Sequence, residues 1–362
     1  MLIDDLDTPA VVIDLDRMET NISSMQAVAN SGDVALRPHT KTHKIPALAL
    51  KQIAEGAVGI TVAKVGEAEV MADAGVSDIL VAYPVVGSSK IERLLDVAER
   101  VHITVALDSS EVLSPLVSAA TKRGVSIDIL IEADTGFHRC GQPVGQKLMD
   151  LCGLAQQSPG ANYRGIMTFL GHISGSRDER ASQMVGEAER MDAMLSLLAQ
   201  NDLSPDVVSV GSTPNAELIP SLPSVTEMRP GTYIFNDRNT VGTEACSYSE
   251  CAMTVLATVV STASGGVVTD SGSKTISSDR WLSGDGGCGF VPDDPGLQFV
   301  STSEEHGHFD PSNANRTYKV GDRMRVIPNH TCVVTNLHDV LYGVRGETVE
   351  EMWVVAARGK LR

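Results

Sequence analysis

The chain has 362 residues, and its 29 Lys plus Arg against 46 Asp plus Glu give a formal net charge of −17 at pH 7. This acidity argues against nucleic acid or an anionic membrane surface as a partner, and no apolar run reaches the roughly 18–20 residues of a membrane span. Single cores rarely grow beyond about 250–300 residues, so the length favours two domains. The first residues lack the features of a signal peptide and no Cys-x-x-Cys pair occurs, which predicts a cytoplasmic protein with reduced thiols.

Strand-like and helix-like patterns alternate along the first two-thirds of the chain. Amphipathic helical patterns fill most of the gaps between eight short segments that are mostly rich in Val, Ile and Leu, as buried parallel strands are. The eight predicted strands are Ala35–Thr40, Gly59–Lys64, Asp78–Tyr83, His102–Leu107, Ser126–Ala133, Tyr163–Phe169, Val207–Ser212 and Ser224–Gly231. This alternation predicts a TIM-type (β/α)8 barrel, which we place at residues 16–240.

The remainder of the chain, residues 241–362, is rich in predicted strands and lacks long helical patterns. Gly and Ser turns separate the strands, which is typical of an antiparallel β-domain. These strands are Ala252–Ser261, Gly266–Asp270, Met324–Pro328, Thr331–Leu337 and Val349–Ala357. The apolar stretch Ala10–Leu15 has no partner among the eight barrel strands, so we assign residues 1–15 to the β-domain as well.

A cluster of basic and imidazole side chains follows the first predicted barrel strand, in the sequence from Arg37 to Lys44. A solvated charged turn is the ordinary explanation of such a run. Its position after an apolar strand favours a site, because catalytic groups of barrels lie at the carboxyl ends of the strands. A lysine that is crowded by cations and shielded from water loses its proton more readily, and its neutral amine can form a Schiff base with a carbonyl. Lys41, nearest the strand end, is the candidate.

Two turns that contain glycine follow the seventh and eighth predicted strands. They are Gly211-Ser212-Thr213 and Gly231-Thr232. Glycine lets backbone amides approach an anion, and the loops after the last two strands of a barrel often bind phosphate. Either turn alone is common loop chemistry. With a Schiff-base lysine, however, a phosphate site indicates pyridoxal 5'-phosphate, and the absence of P-loop and Rossmann glycine motifs disfavours nucleotides.

His330 and Cys332 lie two residues apart where the predicted strand Thr331–Leu337 begins, and residues two apart on a strand point to the same face. Imidazole and thiolate are good ligands for zinc and other borderline divalent metals. A partly buried histidine beside a core cysteine is the structural alternative. Two ligands are too few for a closed structural site, but they suit a catalytic metal that keeps positions open for water and substrate.

Two further polar residues follow predicted strands five and six. Arg139 is suited to a cofactor phenolate or a substrate carboxylate, with an ordinary surface arginine as the alternative. His172 is suited to general-base catalysis, with a satisfied loop histidine as the alternative.

Seven short motifs occur in a fixed order along nearly the whole chain. They are Asp7-Thr8-Pro9-Ala10, Arg37-Pro38-His39-Thr40-Lys41-Thr42-His43-Lys44, Asp134-Thr135-Gly136 with Arg139, Gly211-Ser212-Thr213-Pro214, Arg229-Pro230-Gly231-Thr232-Tyr233-Ile234-Phe235, Glu304-Glu305-His306-Gly307 and Pro328-Asn329-His330-Thr331-Cys332. Together they resemble the D-threonine aldolase / D-serine dehydratase family of pyridoxal-phosphate enzymes, which is related to the alanine racemase fold.

The resemblance implies a fold type III enzyme that forms a homodimer and acts on a small β-hydroxy-D-amino acid. It implies that Lys41 forms the Schiff base, that His172 is the general base, and that a manganese or zinc ion lies beside the cofactor. The remaining implied roles are metal ligation by His330 and Cys332, a phenolate contact by Arg139, and phosphate contacts by Gly211, Ser212, Thr213, Gly231 and Thr232. The segment before His172 departs from the tyrosine-containing segment typical of the family.

Two outcomes are open on such a site. Removal of the proton of the β-hydroxyl leads to retro-aldol cleavage, with glycine and an aldehyde as products. Removal of the α-proton leads to loss of hydroxide, with a 2-oxo acid and ammonia as products. We favour D-threonine aldolase, because the Glu304–His308 segment and the C-terminal sequence resemble aldolases more closely. The alternative is a dehydratase acting on D-serine or D-threo-3-hydroxyaspartate, with which the chain shares cysteine at position 332.

Overall fold

A computed structural model describes residues 1–222, 224–284 and 286–362, which divide into two compact units. The barrel unit comprises Met25–Lys41, Pro46–Gly231 and Gly359–Arg362, and the β unit comprises Met1–Ser24, Thr42–Ile45 and Thr232–Arg358. Among the described residues, no helix is both long and apolar enough to span a lipid bilayer.

The described secondary structure consists of strands, α-helices and short 3-10 helices. The strands are β1 (Ala10–Asp14), β2 (Ala35–Leu36), β3 (Ile60–Val62), β4 (Asp78–Val81), β5 (His102–Leu107), β6 (Ile127–Asp134), β7 (Gln142–Pro143), β8 (Ala161–Phe169), β9 (Val207–Gly211), β10 (Glu227–Met228), β11 (Met253–Ser261), β12 (Val267–Thr269), β13 (Gly289–Phe290), β14 (Gln298–Thr302), β15 (Gly307–Asp310), β16 (Arg323–Pro328), β17 (Val340–Arg345) and β18 (Thr348–Val354). The α-helices are α1 (Leu15–Ser31), α2 (Pro46–Ala54), α3 (Val65–Asp73), α4 (Ser88–Ala98), α5 (Ser110–Arg123), α6 (Gln146–Gln157), α7 (Arg177–Gln200), α8 (Arg238–Gly242), α9 (Ser273–Ile276) and α10 (Thr331–Leu337). The 3-10 helices are Ile3–Asp5, Thr40–Thr42, Ile219–Ser221, Thr232–Ile234 and Tyr248–Glu250.

The barrel unit contains eight parallel strands in the order β2-β10-β9-β8-β6-β5-β4-β3. A parallel bridge between His39 and Thr61 joins the end of β2 to β3 and closes the ring. Backbone hydrogen bonds from Thr61 N to Pro38 O (2.8 Å) and from Val58 N to Leu36 O (2.9 Å) strengthen this closure. The predicted (β/α)8 barrel is therefore confirmed, with the first and last strands much shorter than predicted.

Along each barrel strand, side chains point alternately outward and inward, so the barrel has one hydrophobic core outside the ring and a smaller one inside it. Side chains that point outward, such as Ile79, Val105 and Ile129, form a large buried cluster with the surrounding helices. Side chains that point inward from neighbouring strands form a small apolar cluster of Leu80, Ala106, Leu130 and Met167. Four strands thus fill their part of the interior with hydrocarbon, which leaves the remainder of the ring for polar groups.

The β unit is built around one long sheet with the order β14-β15-β12-β11-β1-β17-β18, to which β16 is added beside β11. Its pairings are antiparallel, except that β1 pairs with β17 in the parallel direction. The expectation of a wholly antiparallel domain is therefore wrong at β1. This strand enters the sheet from the N-terminal part of the chain, so its direction is not set by a hairpin.

The segment Thr331–Leu337 forms helix α10 and not the strand predicted from the sequence. Its β-branched residues favour a strand, but the surroundings of its first turn override that preference. His330 is the N-cap residue, and the backbone N–H of Thr331 donates to the carboxylate of Asp237 (3.1 Å). A carboxylate at a helix N-terminus stabilises the helix through the unpaired amides and the helix dipole. His330 and Cys332 therefore lie at the start of a helix.

Candidate active site

Lys41 lies in the 3-10 helix Thr40–Thr42, immediately after the bridge that closes the barrel. Its side chain is half-buried. The Thr40 hydroxyl donates to the carbonyl of Thr61 (3.1 Å), and the backbone N–H of Lys41 donates to Nδ1 of His39 (3.4 Å). This turn is thereby held against the first two barrel strands, which places Lys41 at their carboxyl ends.

A buried ion-pair network occupies the polar part of the barrel interior and was not predicted from the sequence. Arg37 donates to Glu227 Oε2 (2.6 Å) and to Asp78 Oδ1 (2.5 Å). Burial alone would lower the pKa of Arg37, but the two carboxylates outweigh it and raise that pKa above its ordinary value. Because these residues belong to the first, third and last strands of the barrel, the network spans the closure.

The network continues to a second buried arginine. Ser209 donates to the free oxygen of Glu227, and Arg229 donates to Ser209 Oγ (2.6 Å) and to the carbonyl of Thr168 (2.9 Å). Burial lowers the pKa of Arg229 to about 10, although Glu227 and Glu132 act in the opposite direction. This cation lies directly beside the first predicted phosphate turn.

The two predicted phosphate turns of the barrel unit lie side by side. The backbone N–H of Gly231 donates to Thr213 Oγ1 (3.0 Å), which leaves the hydroxyl proton of Thr213 available for another acceptor. A Cβ atom at Gly211 would lie 3.0 Å from the guanidinium of Arg229, so glycine allows the turn to approach this cation. The hydroxyl of Ser212 accepts from Asn215 (3.3 Å). Hydroxyls above a buried cation fit a phosphate group.

Thr232, the remaining predicted phosphate residue, belongs to the β unit. It begins the 3-10 helix Thr232–Ile234, and its carbonyl accepts from Phe235 N (3.1 Å) and Asn236 N (2.7 Å). Its side chain is half-buried.

Arg139 lies after β6 with about half of its side chain exposed. Its guanidinium is 3.9 Å from Glu132 Oε1, and Glu132 is a buried carboxyl whose pKa burial raises against the influence of Arg229 and Arg139. Arg139 also lies over the rings of Phe169 and Phe137, 4.6 and 5.3 Å from their centroids. The arginine is therefore held at the carboxyl ends of neighbouring strands and fits an anionic oxygen there.

His172 follows β8 and packs against two residues that sequence reasoning did not connect with it. Its Nε2 lies 3.4 Å from Oε2 of Glu187, a fully buried carboxylate of α7 that also pairs with Arg190 (2.6 Å). A Cβ atom at Gly136 would lie 3.1 Å from the imidazole ring, so the glycine of the Asp-Thr-Gly motif makes room for it. Both ring nitrogens are shielded from solvent and form no hydrogen bond. In this conformation neither nitrogen is placed to take a proton from a ligand.

His330 and Cys332, the predicted metal ligands, contact each other in the β unit. Nδ1 of His330 lies 2.8 Å from Oδ2 of Asp237, and the hydroxyl of Thr42 lies 3.3 Å from the sulfur of Cys332. Charge on Cys332 is the largest influence on the pKa of His330. With the hydrogen bonds to Asp237 and Cys332 it raises that pKa to about 11, against the effect of burial. The imidazole of His330 therefore lies between two negatively charged groups, Asp237 and Cys332.

This donor set fits a divalent metal. An imidazole nitrogen and a thiolate side by side are ligands for zinc and similar ions, and a carboxylate on the far nitrogen of a metal-binding histidine is the common supporting arrangement. Among the described residues, no group of three or more His, Cys, Asp or Glu side chains could hold a metal ion. Two protein ligands would leave several positions for water and substrate.

Comparison with known proteins gives matches along nearly the whole chain. Residues 13–239 match the sequence model described as alanine racemase, N-terminal domain, and residues 252–344 match the serine dehydratase domain model. The D-threonine aldolase of Arthrobacter sp. is 35% identical, over 98% of this chain and 93% of its own. The D-threo-3-hydroxyaspartate dehydratase of Delftia sp. (strain HT23) is 34% identical, over 90% and 91%.

Solved structures agree with these matches. D-threonine aldolase from Filomicrobium marinum has a TM-score of 0.90 at 33% identity and covers 99% of this chain and 97% of its own. A cysteine-to-alanine mutant of D-threo-3-hydroxyaspartate dehydratase, solved in the metal-free form, has a TM-score of 0.84 at 30% identity and covers 98% of both chains.

Proposed function

This chain belongs to the D-threonine aldolase and D-serine dehydratase family of lyases, which has the alanine racemase fold, and from that membership we propose that it is a D-threonine aldolase. The proposed reaction is retro-aldol cleavage of a β-hydroxy-D-amino acid at the Cα–Cβ bond, which gives glycine and an aldehyde. The observation that carries this choice is the similarity to D-threonine aldolase over 98% of the chain at 35% identity.

The proposed cofactor is pyridoxal 5'-phosphate, which when bound supplies an electron sink for the carbanion that forms at Cα. In this proposal Lys41 forms the covalent link to the cofactor. The turns at Gly211, Ser212, Thr213, Gly231 and Thr232 bind its phosphate, and Arg139 binds its phenolate oxygen. Support comes from the buried Arg229 beneath the first turn, which favours an anion at that place.

The proposed metal is manganese or zinc, held by His330 and Cys332, and when bound it supplies a Lewis acid for the β-hydroxyl oxygen. The Asp237 carboxylate would hold the proton on Nδ1 of His330 and leave Nε2 as the metal-binding nitrogen. Thr42 and Asp237 keep the two ligands in place without adding ligands of their own.

His172 is the proposed base for the proton of the β-hydroxyl. Since both of its ring nitrogens are shielded here, this role requires the ring to turn away from Gly136. Glu187, a buried carboxylate 3.4 Å from Nε2 in the described conformation, would stabilise the imidazole once it is protonated if the turned ring stays within its reach.

The second candidate function is a dehydratase that releases a 2-oxo acid and ammonia. The observation that favours it is the 34% identity to D-threo-3-hydroxyaspartate dehydratase. In this reaction the α-proton leaves first and Lys41 is the proposed base, so the two functions differ in which substrate proton is removed and not in which groups hold the substrate.

Product analysis with D-threonine, pyridoxal phosphate and manganese or zinc tests the proposal. We expect glycine and acetaldehyde, and we expect Lys41→Ala and His330→Ala to lose this activity while the exposed Lys122→Ala retains it. Formation of 2-oxobutanoate and ammonia would replace the aldolase with the dehydratase. With D-threo-3-hydroxyaspartate as a second substrate, the same assay shows whether the protein prefers a substrate with a methyl group or one with a carboxylate at Cβ.

We also propose a homodimer in the cytoplasm, and a division of the chain into a barrel domain (16–240) and a β-domain (1–15 with 241–362). The dimer rests on the family resemblance, and the location rests on the sequence, in which none of the six cysteines forms a disulfide. Light scattering on the purified protein measures the oligomeric state, and a monomer with full activity would contradict the proposed dimer.

A further inference from the structure

Two phenylalanine rings form a platform beneath Arg139. The rings of Phe137 and Phe169 meet edge to face, with centroids 5.0 Å apart and an interplanar angle of 75°. The guanidinium carbon of Arg139 lies 4.6 Å from the centroid of Phe169 and 5.3 Å from that of Phe137. Both distances are within the range of favourable cation–π interaction, which is about 6 Å.

The close approach of the two rings depends on glycine at position 171. A Cβ atom there would lie 2.3 Å from Cε1 of Phe169 and 2.7 Å from Cε2 of Phe137, so a larger residue would force the rings to move. Phe169 also lies beside the first phosphate turn, since a Cβ atom at Gly211 would be 3.5 Å from its ring. Phe169 therefore contacts Arg139 and lies beside the turn at Gly211, and both are proposed to bind the cofactor.

Arg139 has few polar contacts within the protein that fix its orientation. About half of its side chain is exposed, and its contact with Glu132 is long, at 3.9 Å. An arginine side chain loses rotamer entropy when it is held in one orientation. A planar aromatic face restricts the guanidinium before an anion binds, so less of that entropy is lost on binding.

We propose that Phe169, supported by Phe137, is a positioning residue that pre-orients Arg139 for the anionic oxygen of the cofactor. This inference rests on the proposed function, in which Arg139 binds the cofactor phenolate. Phe169 acts through the arginine and makes no hydrogen bond to the cofactor itself, because a phenyl ring has neither donor nor acceptor. The aromatic face, and not the bulk of the side chain, is the property that matters.

The test measures the dissociation constant of pyridoxal phosphate by absorbance titration of the full-length apoprotein, which needs no turnover. Phe169→Leu removes the aromatic face, and we expect about two- to five-fold weaker binding, as for a cation–π contact at a half-exposed site. Phe169→Tyr keeps the aromatic face and should bind pyridoxal phosphate with the wild-type affinity. Phe290→Leu removes a ring that stacks on Tyr248 in the β unit and serves as a matched control with unchanged affinity.

A double-mutant cycle identifies the residue through which Phe169 acts. If Phe169 works by orienting Arg139, then Phe169→Leu should weaken binding in the wild-type background and have no further effect in Arg139→Ala. An equal loss in both backgrounds would overturn the inference, as would equal losses in Phe169→Leu and Phe169→Tyr. Phe169→Met provides a second non-aromatic variant should the leucine variant fold poorly.

The same titration separates this inference from the function on which it rests. If Arg139→Ala binds the cofactor as tightly as the wild type, the role of Arg139 and the inference fail together, while the product analysis still decides the reaction. If Arg139→Ala weakens binding and Phe169→Leu does not, the inference alone is overturned.

Discussion

Two side chains hold the candidate metal ligands in place without being ligands themselves. Asp237 is fully buried and accepts hydrogen bonds from Thr240 N (2.8 Å) and Thr331 N (3.1 Å) as well as facing Nδ1 of His330. Because the carboxylate is fixed on three sides, it sets both the tautomer and the direction of the imidazole. Sequence reasoning missed Asp237 because 93 residues separate it from His330.

Asp237→Asn should weaken metal binding by about 10–100-fold, the usual effect of losing a supporting carboxylate. The amide of asparagine has the same shape as the carboxylate but no charge. His330 therefore keeps a polar group next to Nδ1 but no longer prefers one tautomer. Competition between apoprotein and a chelating dye measures the metal dissociation constant. Asp293→Asn changes an exposed aspartate of the same unit and should leave that constant unchanged. An Asp237→Asn variant with wild-type affinity would contradict the assigned support.

Thr42 supports the second ligand through the hydrogen bond between its hydroxyl and the Cys332 sulfur (3.3 Å). Thr42→Val removes the hydroxyl while keeping the shape, and we expect roughly five-fold weaker metal binding, equivalent to about 1 kcal/mol for one hydrogen bond. Thr42→Ser keeps the hydroxyl and should bind metal like the wild type. If the serine and valine variants lose affinity equally, packing and not the hydrogen bond is responsible.

At the scale of elements, the eight barrel strands were predictable because each is a short apolar run between helical patterns. Strand length was not predictable for β2 and β10, since their pairing continues into backbone that does not form a regular ladder. Helix α10 was mispredicted because its β-branched sequence favours a strand, whereas its first amide is paired with Asp237 from a distant part of the chain.

The ion-pair network across the barrel closure makes Arg37 important for stability. Arg37→Ala would leave the buried Glu227 carboxylate without its partner and should destabilise the protein by about 3–5 kcal/mol. Arg100→Ala is the matched control, because the Arg100–Asp73 pair is exposed and worth less than about 1 kcal/mol. Urea unfolding curves of both variants measure the difference. A loss for Arg37→Ala no greater than that for Arg100→Ala would contradict a role of the network in closure.

At the scale of the whole molecule, the residues proposed for the two cofactors belong to different units, apart from Thr232. The metal pair lies within the β unit, whereas Lys41, Arg139 and the turns at Gly211 and Gly231 belong to the barrel unit. The sequence motifs predicted both sets, because the reactive side chains of each set lie in short segments whose residue types can be recognised without the fold. Arg229 and Glu227 are brought together by the closed ring, and Asp237 lies far from His330 in the sequence, so no local pattern reveals these supporting residues.

Removal of the metal with a chelator should therefore abolish turnover and leave the absorbance of the bound pyridoxal phosphate in place. Manganese or zinc should restore the activity. Lys41→Ala, conversely, should lose the absorbance of the covalently bound cofactor and retain the wild-type metal dissociation constant. Release of the cofactor by the chelator would show that the two sites load together and would contradict their independence.

The bridge between His39 and Thr61 links the closure of the barrel to binding of the proposed cofactor. Lys41 lies two residues beyond His39, so a cofactor bonded to that lysine, as proposed, would be held next to the closure of the ring. A ligand that binds one state of a protein stabilises that state in proportion to the logarithm of its concentration. If the proposed cofactor binds the closed ring in preference, its loss would favour opening of the ring at β2 or β10, its two-residue strands, and proteolysis of the apoprotein should be faster than that of the loaded protein.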